Sequence, residues 1–473
     1  MPVLLVSACA HQPNPTALQA AQLVPPMAVA SAPSVPAFAP LSLPAAEFSQ
    51  LANGIRTGAF PSARSPYVQM QMQIDAGRLL HGDAADVLAE RLRLIGNADS
   101  EAAWQQHWRA LGASLSVRSG NHRLIFSAEV LPHQADALLD TLLALWQQPN
   151  LQAASTHEQA IRNLRTAQRE ADLQGDDATR LWQRLAYGAE HPYGKSAVPA
   201  SALRQLTPAL VQQQWQLARD EAQQWLFAGA FTPTELTRWQ QKLATLAPVA
   251  PAPRWRTQQH ALAKPATEWQ LHVLDSPGAA QADLQLGFAL PLHAAAERWH
   301  CEALAALLGN NSGRLFRDLR ERRGLSYNPT AFCSAAPLAS ALQLTASTRP
   351  EHTAAMLHGL REHLRMLGQQ PIGADEIALL QSSLRGDLRM QLATARQRSS
   401  RFHLEEWLGG DWQLLRERDA FWQQLTGPAL QQFAEQWLRT EPVTVLRGDA
   451  DLLLPQLRQL LPEARLIRHD RVD

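Results

Sequence analysis

The chain has 473 residues, of which 46% are hydrophobic and 18% charged, and its formal net charge is zero. This length allows two or more domains, and the composition is that of a globular protein, which excludes intrinsic disorder as the general description. The balanced charge and the lack of a basic patch give no indication of a nucleic-acid partner. Three cysteines are too few for a disulfide framework, and no Cys-x-x-Cys pair or cysteine/histidine cluster indicates a structural metal site.

The N-terminal residues are predicted to lie outside the fold. Residues 3–9 resemble the end of a bacterial lipoprotein signal, in which an apolar run and small residues precede the cysteine that is acylated, here Cys9. No positively charged region precedes the run, so the alternative is an apolar tail. Residues 11–44 are rich in Ala and Pro without periodicity, as expected of a tether. We therefore predict a signal remnant and tether over residues 1–46, and a membrane-anchored lipoprotein in the periplasm of a Gram-negative bacterium.

Strands and helices alternate after this segment. Residues 68–74 have strict apolar alternation, with Gln at every second position, which predicts a half-buried strand. A helix is predicted from Ala85 to Ile95, with Leu88, Leu92 and Ile95 as its core stripe. Another helix over residues 101–111, a strand over residues 124–130 and a helix over residues 132–147 follow.

The second half repeats the order of the first. The strand-to-helix junctions before Pro132 and Pro350 are separated by nearly the same interval as Leu206 and Leu425, and as Gly229 and Gly448. A nearly constant offset indicates a duplication, with a period too long for a solenoid. We predict domains over residues 47–246 and 267–473, joined by a Pro/Ala-rich linker over residues 247–266.

Several of these local sequences resemble the pitrilysin/insulinase family of inverted-motif metallopeptidases. In the first half they are Asn53-Gly54, the LGASL of residues 111–115 and the HPYG of residues 191–194. In the second half, RLFRDLRERRGLSY over residues 314–327 closely resembles the signature of the family's C-terminal domain. The resemblance implies an α/β (α+β) fold of two homologous sheet-plus-helix domains, which form half of a clamshell-like peptidase chamber.

The stretch AADVLAERLRLIGN over residues 84–97 resembles the family's zinc helix, in which positions i, i+3 and i+4 are His, Glu and His. Here these positions are Val87, Glu90 and Arg91. Val87 has no lone pair to offer, and the guanidinium of Arg91 is a cation without an acceptor, so neither side chain suits zinc. We predict no metal and no cofactor at this helix.

The third zinc ligand of the family is a glutamate on a later helix. An ungapped alignment backwards from His191 places it at Ala167, which cannot coordinate a metal. Without a metal-bound water, Glu90 has no proton to abstract as a general base, and we expect a helix-surface carboxylate near Arg93. The H-x-x-E pattern that begins at His403 lies far from the duplicated equivalent of the motif, and we expect no zinc there.

Arg320 and Tyr327 match an arginine and a tyrosine that the family uses in its C-terminal domain to hold the substrate backbone and the developing oxyanion. Both side chains are suitable donors for this role. The alternative is structural, with arginines at the end of a helix that Gly324 stops and Tyr327 packed at the start of a strand. Cys301 and Cys333 are expected either to pair in an oxidising compartment or to remain as buried thiols.

The resemblance implies a non-catalytic subunit that pairs with a zinc-bearing homologue and lends Arg320 and Tyr327 to a peptide substrate. One alternative is a peptide-binding or assembly module that acts alone, without a metal. A further alternative is an active metallopeptidase with relocated ligands, which stoichiometric zinc in the purified chain would establish.

Overall fold

The computed structural model describes residues 38–82, 84–195, 202–253, 260–310 and 312–470, so Cys9 lies outside the described residues. Within them the chain forms two six-stranded sheets. The first sheet contains β1 (Glu47–Gln50), β2 (Arg56–Pro61), β3 (Val68–Ile74), β4 (Ser116–Ser119), β5 (Leu124–Val130) and β6 (Gln223–Gly229). The second contains β7 (Gln270–Asp275), β8 (Ala282–Leu290), β9 (Thr330–Ser334), β10 (Ser340–Thr348), β11 (Val443–Gly448) and β12 (Arg465–His469).

Helices follow the strands in each half. Those of the first half are Arg78–His81, Ala84–Leu94, Glu101–Ala110, Ala135–Gln147, Ala154–Leu173, Asp176–Tyr187, Pro208–Arg219 and Pro233–Ala244. Those of the second half are Ala295–Gly309, Thr353–Leu367, Ala374–Met390, Ala395–Trp407, Leu414–Gln423, Gly427–Trp437 and Ala450–Leu460. The predicted mixed α/β class is confirmed.

The strand order of the two sheets reflects the duplication. The first sheet runs β1-β2-β6-β3-β5-β4 and the second β12-β7-β11-β8-β10-β9, so five consecutive positions correspond. Within this shared set, the strand that comes last in the chain, β6 or β11, pairs in parallel with the strand that comes first in the chain, β2 or β7. Thr207 and Thr426, at equivalent places in the two halves, each cap a helix by accepting a hydrogen bond from a backbone N–H, at 3.3 Å. Only the sixth strand differs, because it precedes the shared set in the first domain and follows it in the second.

The predicted alternation of β3 agrees with its burial. Val68, Met70, Met72 and Ile74 are fully buried in the core of the first domain. The Gln side chains between them face the opposite side of the sheet, since successive residues of a strand point to opposite faces. The predicted core stripe of the helix Ala84–Leu94 is likewise buried.

Each domain contributes one helix that packs on the sheet of the other domain. The helix Asp176–Tyr187 of the first domain packs with Leu274 and Val445 on the second sheet. Its equivalent in the second half, the helix Ala395–Trp407, packs through Phe402 with Phe60 and Leu226 of the first sheet. Each domain thus completes the core of the other, and we refer to these two as the crossing helices.

Residues 38–46 lie against the second domain, although the sequence assigns them to the tether. Leu41 and Leu43 pack on its apolar core, and Asp419 accepts a hydrogen bond from the N–H of Leu41, at 3.2 Å. Arg389 donates to the carbonyl of Ala39 at 2.6 Å. The part of the predicted tether that the structure describes is therefore held in place by apolar packing and by polar residues distant in sequence.

The structure joins Cys301, on the helix Ala295–Gly309, to Cys333, on the edge strand β9, in a disulfide with a Cα–Cα distance of 5.8 Å. Of the two expectations for these cysteines, the structure has the paired form. Among the described helices, none is sufficiently long and apolar to span a membrane.

Candidate functional site

The helix Ala84–Leu94 packs its degenerate positions into the protein interior. The side chain of Val87 is fully buried, and so is that of Arg91. Arg91 donates one hydrogen bond, to the carbonyl of Ala153 at 3.1 Å, whereas its Nε and Nη1 have no partner among the described residues. Burial lowers the pKa of this guanidinium, because the charged form is poorly solvated there.

Glu90 lies beside these positions and is engaged in polar contacts. Its carboxylate accepts hydrogen bonds from Arg93 at 2.5 and 2.7 Å, as the sequence predicts for this i,i+3 pair. It also accepts one from the amide of Asn163 at 2.6 Å, a partner that was not predicted from the sequence. Asn163 lies one helical turn before the exposed Ala167 on the helix Ala154–Leu173, so both share a face. Helical periodicity was the signal that could have indicated Asn163.

These residues do not fit a zinc ion. At one histidine position of the zinc motif, the apolar side chain of Val87 lies in the core. At the other lies the buried guanidinium of Arg91. The aligned position of the third ligand has no donor atom. Across the described residues, no group of three or more His, Cys, Asp or Glu side chains is placed to hold a metal ion.

Arg320 belongs to a π-helical segment, Phe316–Arg322, in which the N–H of Arg323 reaches the carbonyl of Asp318, five residues back. π-Helical turns are rare and often occur at functional sites. The segment ends at Gly324, whose φ of +61° lies in the left-handed region that glycine adopts readily. The end of the segment therefore follows the predicted glycine stop, but its interior is wider than an α-helix.

The side chains of Arg320 and Tyr327 lie together. The guanidinium carbon of Arg320 is 4.3 Å from the centre of the Tyr327 ring and 4.4 Å from that of Phe316. Arg323, by contrast, pairs with Asp318 at 2.9 Å, which is the structural role expected of an arginine at this end. Phe316 was missed from the sequence, although its i,i+4 spacing to Arg320 indicates contact on a helix.

Tyr327 stands at a polar cavity of about 830 Å³. Its side chain is 79% exposed, which is unusual for a large aromatic residue. The cavity wall includes polar side chains from β8 and β10, among them Asp283, Gln285 and Thr345, and the start of the first crossing helix. It is a concave space lined by hydrogen-bonding groups from both domains.

His403 and Glu406, the residues of the H-x-x-E pattern, lie at the junction of the domains. Glu406 accepts a hydrogen bond from Arg123 at 2.6 Å, and Arg123 also pairs with Asp75 at 2.6 Å. Nδ1 of His403 lies 2.7 Å from the Gln73 side-chain oxygen. Burial and then the charge of Arg123 lower the pKa of His403 to about 3. Burial alone would raise the pKa of Glu406, but the neighbouring arginines outweigh it and lower this pKa to about 2. His403 and Glu406 therefore contribute to the contact between the two domains.

Comparisons with known proteins agree with this arrangement. Residues 222–384 match the family model described as Peptidase M16 inactive domain. The match spans 163 of the 473 residues, about a third of the chain, and this part of the chain is similar to the M16 peptidase family. The predicted family resemblance is thereby confirmed, and the matched segment includes Arg320 and Tyr327 but not the degenerate helix.

Proteins similar to this chain include uncharacterized zinc proteases of Mycobacterium bovis and Mycobacterium tuberculosis. Each is 31% identical over 135 residues, which is 28% of this chain and 31% of the relative. The chain thus matches less than a third of the length of these curated relatives.

Solved structures share the fold at low identity. A peptidase M16 inactive domain from Pseudomonas fluorescens has a TM-score of 0.72 and 16% identity, with 85% of this chain and 98% of that chain covered. A protease from Helicobacter pylori has a TM-score of 0.73 and 14% identity, with 86% and 100% covered. The chain therefore has the fold of M16-like peptidases, and residues 222–384 match the family model described as inactive.

Proposed function

We propose that this chain is the non-catalytic subunit of a heterodimeric periplasmic zinc metallopeptidase. It completes the peptide chamber of a zinc-bearing homologous subunit and contributes Arg320 and Tyr327 to the binding of a peptide substrate.

The stacking of Arg320 with Tyr327 is the observation that carries the proposal. A guanidinium stacked on aromatic faces keeps its N–H groups at the edge of its plane, where they remain available to a carbonyl or an oxyanion. No hydrogen bond to another described side chain occupies them, and the Tyr327 ring beside them extends into the polar cavity. Preorganised donors of this kind stabilise developing negative charge, because they need no reorganisation during the reaction.

The first domain indicates why the zinc site is assigned to the partner subunit. Its degenerate helix offers no metal ligand, so a zinc-bound nucleophile has to come from another subunit. The disulfide between Cys301 and Cys333 supports an extracytoplasmic location, since disulfides persist in oxidising compartments. A lipid on Cys9 would add contact with the membrane, through the tether that continues into the docked residues 38–46.

Co-expression with a zinc-bearing M16 homologue from the same genome tests the proposal. We expect light scattering to give the mass of a one-to-one complex and the complex to hydrolyse peptides that neither chain cleaves alone. Arg320→Ala and Tyr327→Phe are expected to lower kcat/KM by about a hundredfold to a thousandfold, the range for loss of one oxyanion donor. The complex mass should not change.

Arg322→Ala is a matched control, because it removes another arginine of the same π-helical segment, an exposed one to which the proposal gives no role in substrate binding. A chain that stays monomeric with every zinc-bearing homologue, or a complex whose kcat/KM is indifferent to Arg320→Ala, would contradict the proposal. Tight peptide binding by the isolated chain would instead favour a module that acts alone.

A further inference from the structure

A second cavity, of about 590 Å³, lies on the same face of the second sheet as the polar cavity, beyond the end of the first crossing helix. Its floor is formed by small or polar residues of the strands, among them His272, Gly287 and Ala289. The interdomain residues 262–266 and the loop 436–442 form its walls. Tyr327 is not part of its lining. This volume lies within the range of small-molecule sites, which favour domain junctions.

The duplication shows that this space is specific to the second domain. Leu226 and Val445 hold equivalent places in the two sheets, and opposite them lie Gly58 and His272 respectively. Over Gly58, aromatic rings of Phe48 and Phe402 approach to 3.4 Å from the position that a Cβ would take. The first sheet is therefore closed by aromatic packing where the second is open.

The second sheet stays open for two reasons. Phe48 belongs to β1, and the second domain has at its edge the parallel strand β12 instead. By the offset of the duplication, Phe402 corresponds to Gln183 of the first crossing helix, which is polar and does not line this space. Both differences leave the second domain without the aromatic cover of the first, so the space is specific to the second domain.

The polar groups of the cavity favour an anionic head group. Its two carboxylates are already paired, Glu268 with Arg465 at 2.9 Å and Glu441 with Arg361 at 2.6 Å. Lys264 and Arg439 line the same cavity, and among the described residues neither has a carboxylate partner. Two unneutralised cations that line a concave space attract an anion more strongly than they would in open water.

The remaining walls favour an apolar body. Leu185, Leu262, Leu290 and Trp437 line the space together with several prolines and alanines. At its floor, His272 is buried, and its Nδ1 lies 2.9 Å from Nε2 of His469. Burial and then the neighbouring His469 lower the pKa of His272 to about 4, so this ring is neutral and adds no charge. Apolar walls together with two exposed cations in the lining are complementary to an amphiphile with one negative end.

We propose that this cavity binds a small amphiphilic carboxylate, a free medium-chain fatty acid in its ionised form, with the carboxylate at Lys264 and Arg439 and the chain along the apolar wall. The proposal is independent of the heterodimer, because the cavity is built within one chain and neither Arg320 nor Tyr327 is part of its lining.

Calorimetry with the purified full chain and dodecanoate, well below its micellar concentration, tests this. We expect saturable binding of one equivalent, and a rise in Tm with ligand concentration, since a ligand specific to the folded state stabilises it. Dodecanol and dodecyltrimethylammonium, which share the chain but lack the negative charge, should bind at least tenfold more weakly. Equal affinity for all three compounds would overturn the assignment of the head group.

Two kinds of variant locate the site. Ala289→Trp should fill the floor and weaken dodecanoate binding at least tenfold, whereas Ala102→Trp, on an exposed helix of the first domain, should not. Lys264→Glu and Arg439→Glu, at exposed positions where folding is not at risk, should each weaken binding several-fold and together abolish it. Unsaturable binding of many equivalents, or full affinity in the double charge reversal, would refute the proposal. Tyr327→Ala should leave binding unchanged, so failure of the chamber proposal would not imply failure of this one.

Discussion

Substitution of Glu406 by Gln tests whether the two domains form one cooperative unit. Glu406 is the acidic residue that the second domain contributes to the buried cluster around Arg123, and it also pairs with Arg56. The side chains of Arg123 and Glu406 are only 4% and 9% exposed. Gln keeps the shape of the side chain but removes its charge, so Arg123 keeps only Asp75 as a charged partner.

Removing one partner of a buried ion pair destabilises a protein by about 3–5 kcal/mol. Because Asp75 remains at 2.6 Å from Arg123, we expect the lower end of this range, about 3 kcal/mol. At about 2–4 °C per kcal/mol for a domain of this size, Tm should fall by roughly 6–12 °C. Urea unfolding followed by tryptophan fluorescence and by circular dichroism would measure the change.

Glu362→Gln is the matched control, because Glu362 pairs with Arg365 at 2.6 Å within a single helix, and these side chains are 15% and 55% exposed. Such a pair contributes about 0–0.5 kcal/mol. If Glu406→Gln lowers the free energy of unfolding by no more than this control, the buried cluster does not stabilise the domain junction. A single transition that splits into two in Glu406→Gln would show that the cluster couples the domains.

Other predictions concern acid, the disulfide and the buried arginine. The pKa of His403 is about 3 in the folded state against an ordinary value of 6.5, so the folded state binds fewer protons than the unfolded state. The stability that the neutral His403 contributes is therefore complete above pH 6.5 and is lost as pH falls toward 3. His403→Gln should flatten this part of a pH titration of Tm. Replacing both Cys301 and Cys333 by Ala should lower the free energy of unfolding in urea by about 3–4 kcal/mol, because the disulfide closes a long loop of the unfolded chain; a reductant should then have no further effect. Arg91→Met should raise that free energy by about 1–2 kcal/mol, since it replaces an unpaired buried charge by an apolar chain of similar length; a loss of stability would indicate a partner that the structure does not show.

Patterns that depend on near neighbours in sequence were sufficient for much of the fold. Strand β3, the helix Ala84–Leu94 and the equivalence of Thr207 and Thr426 all follow from periodicity or local capping. The Glu90–Arg93 pair was predictable for the same reason, because i,i+3 contacts are built into a helix.

Contacts between distant residues were not predictable in this way. Nothing in the sequence of the crossing helices indicates that each packs on the sheet of the other domain, since an apolar stripe identifies a buried face without identifying its partner. The docking of residues 38–46 depends on Arg389 and Asp419, which lie near the other end of the chain. The contact of Arg320 with Tyr327 accompanies a π-helical segment, which no single-sequence pattern indicates.

The contrast between the degenerate helix and the Arg320–Tyr327 stack bears on how the missing ligands are best explained. A site that had merely lost its metal would retain polar groups around an open space, yet Val87 is fully buried in the apolar core and Asn163 binds the remaining carboxylate. The degenerate helix of the first domain therefore contributes to packing and not to metal binding. Tyr327 shows the reverse, because an aromatic ring left 79% exposed forgoes the stabilisation of burial, about 1.5–3 kcal/mol for a large apolar side chain. Such exposure beside a stacked guanidinium is explained more readily by contact with a peptide than by the stability of the isolated chain.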